Sequence, residues 1–315
     1  VVGLLQWVPT KHHQKLSLGI GLSVLVIAAI LPFTSILPAY VQPETLSLPD
    51  VPENARVEPV KTGSVAQVVG WEFEKQIVQA SNDNASIDVV VYWQAVAPDR
   101  GDYISFARVL GRDHQLVGEI NRRPACGMVP TDRWQPGQIW RDPYRIQIAE
   151  NARAPSRLLV QVGLYDPKSH RTLGAVQVGE AKLAPPESPP DIDHPLNVKL
   201  ADGVTLRGYD IASTTVSAGE VLSVTLHWRA RAAPSKDYQV FVHLLADDAT
   251  DRPMEPVAQG DGPPLMGDYP TSLWAAGESI SDAHRIALPT ELPTGRYRLL
   301  VGMYDLETMA RLPRS

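Results

Sequence analysis

The chain has 315 residues, 44% of them hydrophobic, with a net charge of −6 and a pI near 5.8. The acidic balance and the lack of a basic patch argue against a nucleic-acid partner. The single cysteine, Cys126, excludes an intrachain disulfide and a cysteine-rich metal site.

An uncharged apolar segment near the start predicts a membrane span. Leu16–Ile36 would extend about 31 Å as a helix, enough to cross the hydrocarbon core, and we predict a transmembrane helix over 16–37. Lys11 and Lys15 precede it and Glu44 follows it, so the positive-inside rule places residues after about 40 on the extracytoplasmic side of the cytoplasmic membrane. The alternatives are a cleaved signal peptide, whose apolar region is usually shorter, and a buried core helix.

The segments on either side of this span extend the interpretation. The chain begins with valine, and residues 1–8 are also largely apolar. We interpret residues 1–15 as the end of a preceding span and a cytoplasmic loop, which predicts a fragment of a polytopic membrane protein. Residues 38–62 contain five prolines and predict an extended, stiff stalk.

From residue 63 onward, the same phrases occur twice in the same order. Pro-Thr-x-x-Trp occurs at 130–134 and 270–274, and Val-Gly-x-Tyr-Asp at 162–166 and 301–305. A nearly constant offset in an ordered series predicts a duplicated module. The predicted parts are repeat 1 at 63–183, a proline-rich linker at 184–196 and repeat 2 at 197–315.

Each repeat has the pattern of half-buried strands. In the segment 220–230, Leu222, Val224 and Leu226 alternate with polar residues, and Trp228 continues the apolar series. Several such runs, separated by turn-forming residues, predict a mainly β protein. We expect two tandem antiparallel β-sandwiches, immunoglobulin-like or jelly-roll-like. Trp93 and Trp228 are predicted to lie in the cores.

The tryptophans of the repeated Pro-Thr-x-x-Trp phrase lie in loops, where two roles compete. Trp134 and Trp274 either pack against their own repeat or stack on a ligand such as a sugar ring. The predicted ligand-binding residues are Trp134, Trp274, Tyr269, Asp261 and His284.

Repeat 2 also contains a set of polar residues that would suit catalysis. These residues are His227, His243, Asp261, Asp282 and His284. Of their counterparts in repeat 1, only Asp142 has the same residue type, and no metal-ligand spacing is present. We therefore predict structural, hydrogen-bonded or solvent-facing roles for the histidines, and no catalytic residue, metal or cofactor. A hydrolase using Asp261, Asp282 and His284 is the alternative.

Asp142 and Asp282 occur in both repeats, each three residues before an arginine. An ion pair with Arg145 or Arg285, or a carboxylate that caps a turn, would explain them.

Several phrases together resemble a known family of membrane enzymes. A last span followed by LPAYVQP, then LHWRA, DYQVFVHLL, YPTSLWAAGE and LPTGRYRLLVGMYD, is similar to the extracytoplasmic C-terminal region of bacterial family-39 glycosyltransferases, relatives of protein mannosyltransferases and lipid-A arabinosyltransferase. The resemblance implies a parent protein that transfers sugars from a polyprenyl-phosphate carrier. No position here matches the catalytic motif of that family, so no catalytic residue is carried over.

The sequence thus predicts the non-catalytic tail, with the last membrane span, of a polytopic glycosyltransferase-like protein. The expected partners are the lipid bilayer and a glycan or surface protein that the tail binds or positions. The alternative is a stand-alone, membrane-anchored module that binds carbohydrate or protein.

Overall fold

A computed structural model describes residues 27–28, 43–79, 85–98, 101–247 and 255–315. The predicted span over 16–37 and residues 1–15 lie outside this part of the chain, apart from Ile27 and Ala28. Within the described ranges, no helix has the length and apolar character needed to cross a bilayer.

The protein is mainly β, as predicted, with strands making up 51% of the structure and helical residues 8%. Two groups of sheets follow one another along the chain. We call the group formed by β1–β9 unit 1 and the group formed by β10–β16 unit 2. The short 3₁₀ turns are Leu48–Asp50, Glu53–Ala55, Arg112–His114, Thr131–Arg133, Pro264–Gly267 and Thr271–Leu273.

Unit 1 consists of a four-stranded and a five-stranded sheet. Its strands are β1 (Arg56–Thr62), β2 (Ala66–Glu72), β3 (Ile77–Gln79), β4 (Ser86–Ala95), β5 (Ile104–Leu110), β6 (Leu116–Arg122), β7 (Ile139–Gln147), β8 (Ser156–Asp166) and β9 (Arg171–Ala184). The strand orders are β1-β2-β4-β7 and β3-β9-β8-β5-β6. Because β3 runs parallel to β9, the expectation of purely antiparallel pairing fails at this edge.

The two sheets of unit 1 share one hydrophobic core. On β4, Val89, Val91 and Trp93 point into this core and are almost fully buried, as period-two alternation requires. The predicted core position of Trp93 is therefore confirmed.

Unit 2 is built from seven described strands in two sheets. They are β10 (His194–Lys199), β11 (Val204–Ile211), β12 (Val221–Ala230), β13 (Tyr238–Ala246), β14 (Ala258–Gln259), β15 (Ser279–Ala287) and β16 (Tyr297–Asp305). The strand orders are β10-β11-β12-β15 and β14-β13-β16. Trp228 lies fully buried in the core between them, as predicted.

The strand order of unit 2 repeats that of unit 1. The sheet β10-β11-β12-β15 follows the order of β1-β2-β4-β7, and β14-β13-β16 follows that of β6-β5-β8. Cross-strand partners repeat as well, since Phe106 lies opposite Gly163 and Phe241 lies opposite Gly302. Within the described residues, unit 2 has no strand in the places of β3 and β9.

The predicted stalk over 38–62 is shorter than expected, because its second half belongs to unit 1. The strand β1 ends this segment, and the backbone N–H of Leu46 donates to the carbonyl of Ile139 at 2.8 Å. Val51 and Ala55 are buried against the outer face of the four-stranded sheet. Apolar residues between the prolines therefore hold this segment on the sheet.

The linker is also shorter than the predicted 184–196. Ala184 is the last residue of β9, and His194 begins β10, opposite Tyr209 on β11. Pro195 is part of β10, an edge strand, where a residue without an N–H is tolerated. The connecting segment is therefore 185–193.

The two units contact one another through a buried lysine. Lys182 on β9 is 4% exposed, and its Nζ lies 2.6 Å from Glu278 Oε1 and 2.7 Å from the carbonyl oxygen of Leu273. Nearby, the N–H of Arg157 donates to the carbonyl of Asp268 at 2.6 Å. These contacts join β8 and β9 of unit 1 to the Pro-Thr-x-x-Trp loop of unit 2.

Candidate functional site

The repeated Pro-Thr-x-x-Trp phrase forms the same loop in both units. In unit 1, the hydroxyl of Thr131 accepts from the N–H of Tyr103 at 2.7 Å and donates to a nearby carbonyl at 2.8 Å. In unit 2, Thr271 makes the same two bonds, with the N–H of Tyr238 at 2.9 Å and a carbonyl at 2.6 Å. The threonine thus fixes the loop to the start of β5 or β13, so the phrase has an architectural role.

The tryptophans of this loop lie inside the protein. Trp134 is 1% exposed and stacks on Trp140 with 4.4 Å between ring centroids. Trp274 is 2% exposed, and its indole N–H donates to the carbonyl of Tyr269 at 3.1 Å. The predicted stacking of these rings on a sugar has no geometric support, because protein atoms already cover them. Core packing, the competing role, matches their positions.

Tyr269 supports the contact between the units. Its side chain is fully buried, and its hydroxyl donates to Glu278 at 2.9 Å. Burial, followed by the charge and hydrogen bond of Glu278, raises the pKa of Tyr269 far above its usual value. Tyr269 therefore remains a neutral donor, and its ring is not accessible to a ligand.

His284 and Asp282 form a buried pair in the core of unit 2. The imidazole Nε2 lies 2.7 Å from Asp282, and Nδ1 lies 2.8 Å from the carbonyl oxygen of Gly260. Both ring nitrogens face acceptors, so the doubly protonated ring satisfies both. Burial opposes this charge, but the hydrogen bond and charge of Asp282 outweigh it and raise the pKa of His284.

Asp282 also caps a loop, which confirms one of its two predicted roles. Its Oδ1 accepts from the N–H of Leu265 at 2.8 Å. Arg285 is exposed on the opposite face of β15, because residues three apart on a strand point in opposite directions. The predicted ion pair between Asp282 and Arg285 is therefore wrong.

Asp142 repeats this arrangement in unit 1 with a different ion partner. Its carboxylate is buried and accepts from Arg122 at 2.7 Å and from the N–H of Cys126 at 3.0 Å. Arg145 instead pairs with Asp88 on the surface. The predicted turn-capping role of Asp142 is confirmed, and the predicted pairing with Arg145 is wrong.

Asp261 follows Gly260 and adds to the raised pKa of His284 through its charge, but it bonds other groups. It accepts from the N–H of Val242 at 3.0 Å and lies 3.1 Å from His243 Nε2. No hydrogen bond joins it to Asp282 or His284, so the residues of the alternative hydrolase are not assembled within the described structure. The five predicted ligand-binding residues therefore do not converge on one accessible site.

His227 has a hydrogen-bonded structural position. Its Nε2 lies 2.7 Å from Asp210, and its Nδ1 lies 3.0 Å from the hydroxyl of Ser281. The residue is only 3% exposed, so the hydrogen-bonded role predicted for it fits and the solvent-facing one does not.

An accessible cluster of aromatic and polar side chains lies elsewhere, on the outer face of the five-stranded sheet of unit 1. It forms a groove of about 280 Å³ across β5, β6, β8 and the start of β9. We call it the sheet-face groove. Its lining residues are Phe106, Arg108, Glu119, Asn121, Tyr165, His170 and Thr172.

The floor of the groove depends on a glycine. The ring of Phe106 lies against Gly163, where a Cβ would be 2.4 Å from the ring. Tyr165 flanks this ring, with 6.4 Å between centroids and an angle of 42°. The guanidinium of Arg108 lies 4.9 Å from the Phe106 centroid, and Gln161 holds it through bonds of 2.9 and 3.1 Å.

Unit 2 has the same aromatic pair, with an arginine from a different position over its phenylalanine. Phe241 and Tyr304 are 6.4 Å apart at 43°. The guanidinium of Arg311 lies 4.6 Å from the Phe241 centroid. Thr172 is the counterpart of Arg311 in unit 1, because Thr172 lies opposite Tyr165 and Arg311 lies opposite Tyr304. Thr172 cannot supply such a guanidinium, and in unit 1 Arg108 lies over the Phe106 ring instead.

A second, larger groove in unit 1 has a volume of about 750 Å³. Its lining residues are Glu72, Phe73, Glu74, Gln76, Asp88, Val89, Val90, Pro143, Tyr144 and Arg145. Several of its polar groups already bond one another. Gln76 bonds both backbone groups of Asp88, and Arg145 makes two bonds to the Asp88 carboxylate at 2.8 and 3.0 Å. The polar side chains of the sheet-face groove also bond one another, but there a half-buried aromatic ring, Tyr165, lies beside them, so we take that groove as the candidate.

The sequence contained a signal for the sheet-face groove. The repeated Val-Gly-x-Tyr-Asp phrase, which indicates the duplication, is this signal. In the structure, its glycine makes room for Phe106 or Phe241, and its tyrosine flanks the same ring. Arg108, Glu119 and Asn121 are ordinary surface residues in sequence, and only the sheet register brings them together.

No protein-family model matches the chain, and no curated protein is similar to it.

Proposed function

We propose that the two units are immunoglobulin-like or jelly-roll-like β-sandwiches that arose by duplication of one module. They would form the extracytoplasmic tail that follows the last membrane span, over 16–37, of a glycosyltransferase-like protein. The shared strand order and cross-strand partners of the units support the duplication. The resemblance of the sequence phrases to family-39 enzymes supports the parent protein, which would use polyprenyl-phosphate-linked sugars.

The tail would act by binding carbohydrate in the sheet-face groove of unit 1. The observation that carries this proposal is the half-buried ring of Tyr165 beside Arg108, Glu119 and Asn121. A sugar ring has an apolar face that packs on an aromatic ring and hydroxyls that both donate and accept. Arg108 supplies donors, Glu119 supplies acceptors, and Asn121 supplies both.

The balance of charge favours a neutral sugar over an anionic ligand. The groove contains one guanidinium, from Arg108, and one carboxylate, from Glu119, which lie on directly opposed residues of β5 and β6. Glu119 also accepts from the amide of Asn121 at 2.8 Å, so the amide and carboxylate are held together at the rim. An anionic ligand would face this carboxylate, and His170 is the one further basic side chain among the lining residues.

A glycan array with the full chain in detergent tests this proposal. Glycans that bind are then titrated against the wild type, Tyr165→Ala and the matched control Tyr304→Ala. We expect Tyr165→Ala to weaken binding about fivefold or more, because an aromatic contact is worth on the order of 1 kcal/mol beyond its buried area. Tyr304→Ala should bind as the wild type does. The absence of any glycan ligand, or equal affinity of Tyr165→Ala and the wild type, would refute the proposed site.

The parent protein is tested separately, by sequencing the coding region upstream of Val1. We expect further apolar spans and an extracytoplasmic loop with acidic residues. A start codon directly before Val1 would favour the alternative, a stand-alone membrane-anchored module, and would leave the groove proposal unaffected.

A further inference from the structure

The strand β16 has an open edge that its counterpart in unit 1 lacks. On one side it pairs with β13 along its whole length, from Tyr297 to Asp305. On the other side, no named strand within the described residues pairs with it. The equivalent strand β8 is covered on that side by β9, with pairs from Ser156 to Asp166.

The open edge leaves apolar side chains partly exposed. Leu158 and Val160 on β8 are fully buried. Their counterparts on β16, Tyr297 and Leu299, are only partly buried, although both pack on the core of unit 2. Leu300, which points to the outer face, is 39% exposed. Unit 2 therefore lacks the cover that β9 supplies in unit 1.

The chain that follows β16 does not supply this cover. After the turn at Asp305, the N–H of Leu312 donates to the carbonyl of Met303 at 2.8 Å. The chain then leaves β16, since the carbonyl of Pro313 accepts from Ala201 and Arg314 bridges to Leu200 at the end of β10. The edge from Tyr297 to Gly302 remains without a partner strand in the described structure.

The hydrogen bond between Leu312 and Met303 also shows which way the unpaired backbone groups of β16 point. The carbonyl of Met303 points away from β13. Alternate residues of an antiparallel strand bond the same neighbour. The N–H and C=O groups of Tyr297, Leu299 and Val301 therefore also point to the open edge. An added antiparallel strand would meet these three residues.

We propose that this edge binds β16 of a second copy of the chain, forming a two-fold dimer with one continuous sheet through both copies. A register centred on Leu299 pairs Tyr297 of one copy with Val301 of the other and Leu299 with itself. The side chains that face the core at this dimer interface are then all apolar, and the strand is complementary to itself. Arg298 faces Leu300 of the other copy, so no like charges are opposed.

A cysteine substitution tests the dimer and its register together. In this register, the two Leu299 Cα atoms form a hydrogen-bonded pair about 5.5 Å apart, a separation that a disulfide spans. Leu299→Cys in a Cys126→Ser background should therefore form a covalent dimer on mild oxidation. The matched control is Leu116→Cys in the same background. Leu116 is 50% exposed and lies on β6, an edge strand of the five-stranded sheet of unit 1. This variant should remain monomeric.

Light scattering on the full chain in detergent provides the second test. Leu299→Pro removes an N–H that points away from β13, so the bonds within unit 2 are retained while the joint is blocked. We expect a dimer for the wild type and its loss in Leu299→Pro, with the circular dichroism unchanged. A wild type that is monomeric at the highest concentration reached, or a dimer in which Leu299→Cys does not crosslink, would overturn the proposal.

Discussion

Replacement of Lys182 by methionine should weaken the joint between the two units. The ammonium lies 2.6 Å from Glu278 and 2.7 Å from the carbonyl oxygen of Leu273, and the side chains of the pair are 5% and 15% exposed. Removing one partner of a buried ion pair costs about 3–5 kcal/mol, because the other charge stays buried. Glu278 would keep the N–H of Ala275 and the hydroxyl of Tyr269 as donors, so we expect the lower end, about 3 kcal/mol.

Thermal unfolding by circular dichroism measures this effect. For a cooperative block of both units, about 3 kcal/mol corresponds to a decrease in melting temperature of about 6–12 °C. Lys182→Met with Glu278→Gln should recover most of the loss, since no charge is then left unpaired. The control is Arg145→Met, which breaks an exposed ion pair with Asp88, and its melting temperature should equal that of the wild type. If Lys182→Met melts like this control, the buried pair does not couple the units.

Two further predictions concern single residues within the units. Gly163→Ala would place a Cβ 2.3 Å from the carbonyl oxygen of Gly174 and 2.4 Å from the Phe106 ring, so we expect a loss of about 1–3 kcal/mol in urea unfolding. Gly262→Ala is its control, because a Cβ there meets no atom within 4 Å, and equal losses in both variants would count against the packing argument. Burial opposes the charge of His284, but Asp282 raises the pKa of this histidine above the ordinary 6.5. The stabilising effect of the pair is therefore fully present below pH 6.5 and is lost as the pH rises through the raised pKa. The stability difference between the wild type and His284→Gln should therefore shrink as the pH increases, and a difference that grows would contradict this assignment.

Strand alternation allowed the core of each unit to be predicted from sequence. Trp93 and Trp228 lie on apolar faces with period two, and the register buries both of them completely. The same rule would have excluded the pairing of Asp142 with Arg145, since residues three apart on a strand point to opposite faces.

Loop residues were harder to predict, because their exposure depends on tertiary contacts. Trp134 and Trp274 have the sequence context of exposed aromatic residues. In the structure, Trp134 stacks on Trp140, and the loop of Trp274 lies at the contact between the two units. Lys182 gave no signal of its own, because its partner Glu278 lies in the other unit. The sheet-face groove likewise combines side chains from four strands, which no local pattern brings together.

Exchange of the residue that distinguishes the two aromatic pairs tests the binding proposal most directly. Thr172→Arg would add to unit 1, opposite Tyr165 and beside the existing Arg108, an arginine like the one that lies over Phe241 in unit 2, and its long side chain would fill the groove. Titration calorimetry with a glycan identified on the array should show that binding is lost in Thr172→Arg and retained in the reciprocal control Arg311→Thr. Binding at wild-type affinity by Thr172→Arg would show that carbohydrate does not occupy the sheet-face groove.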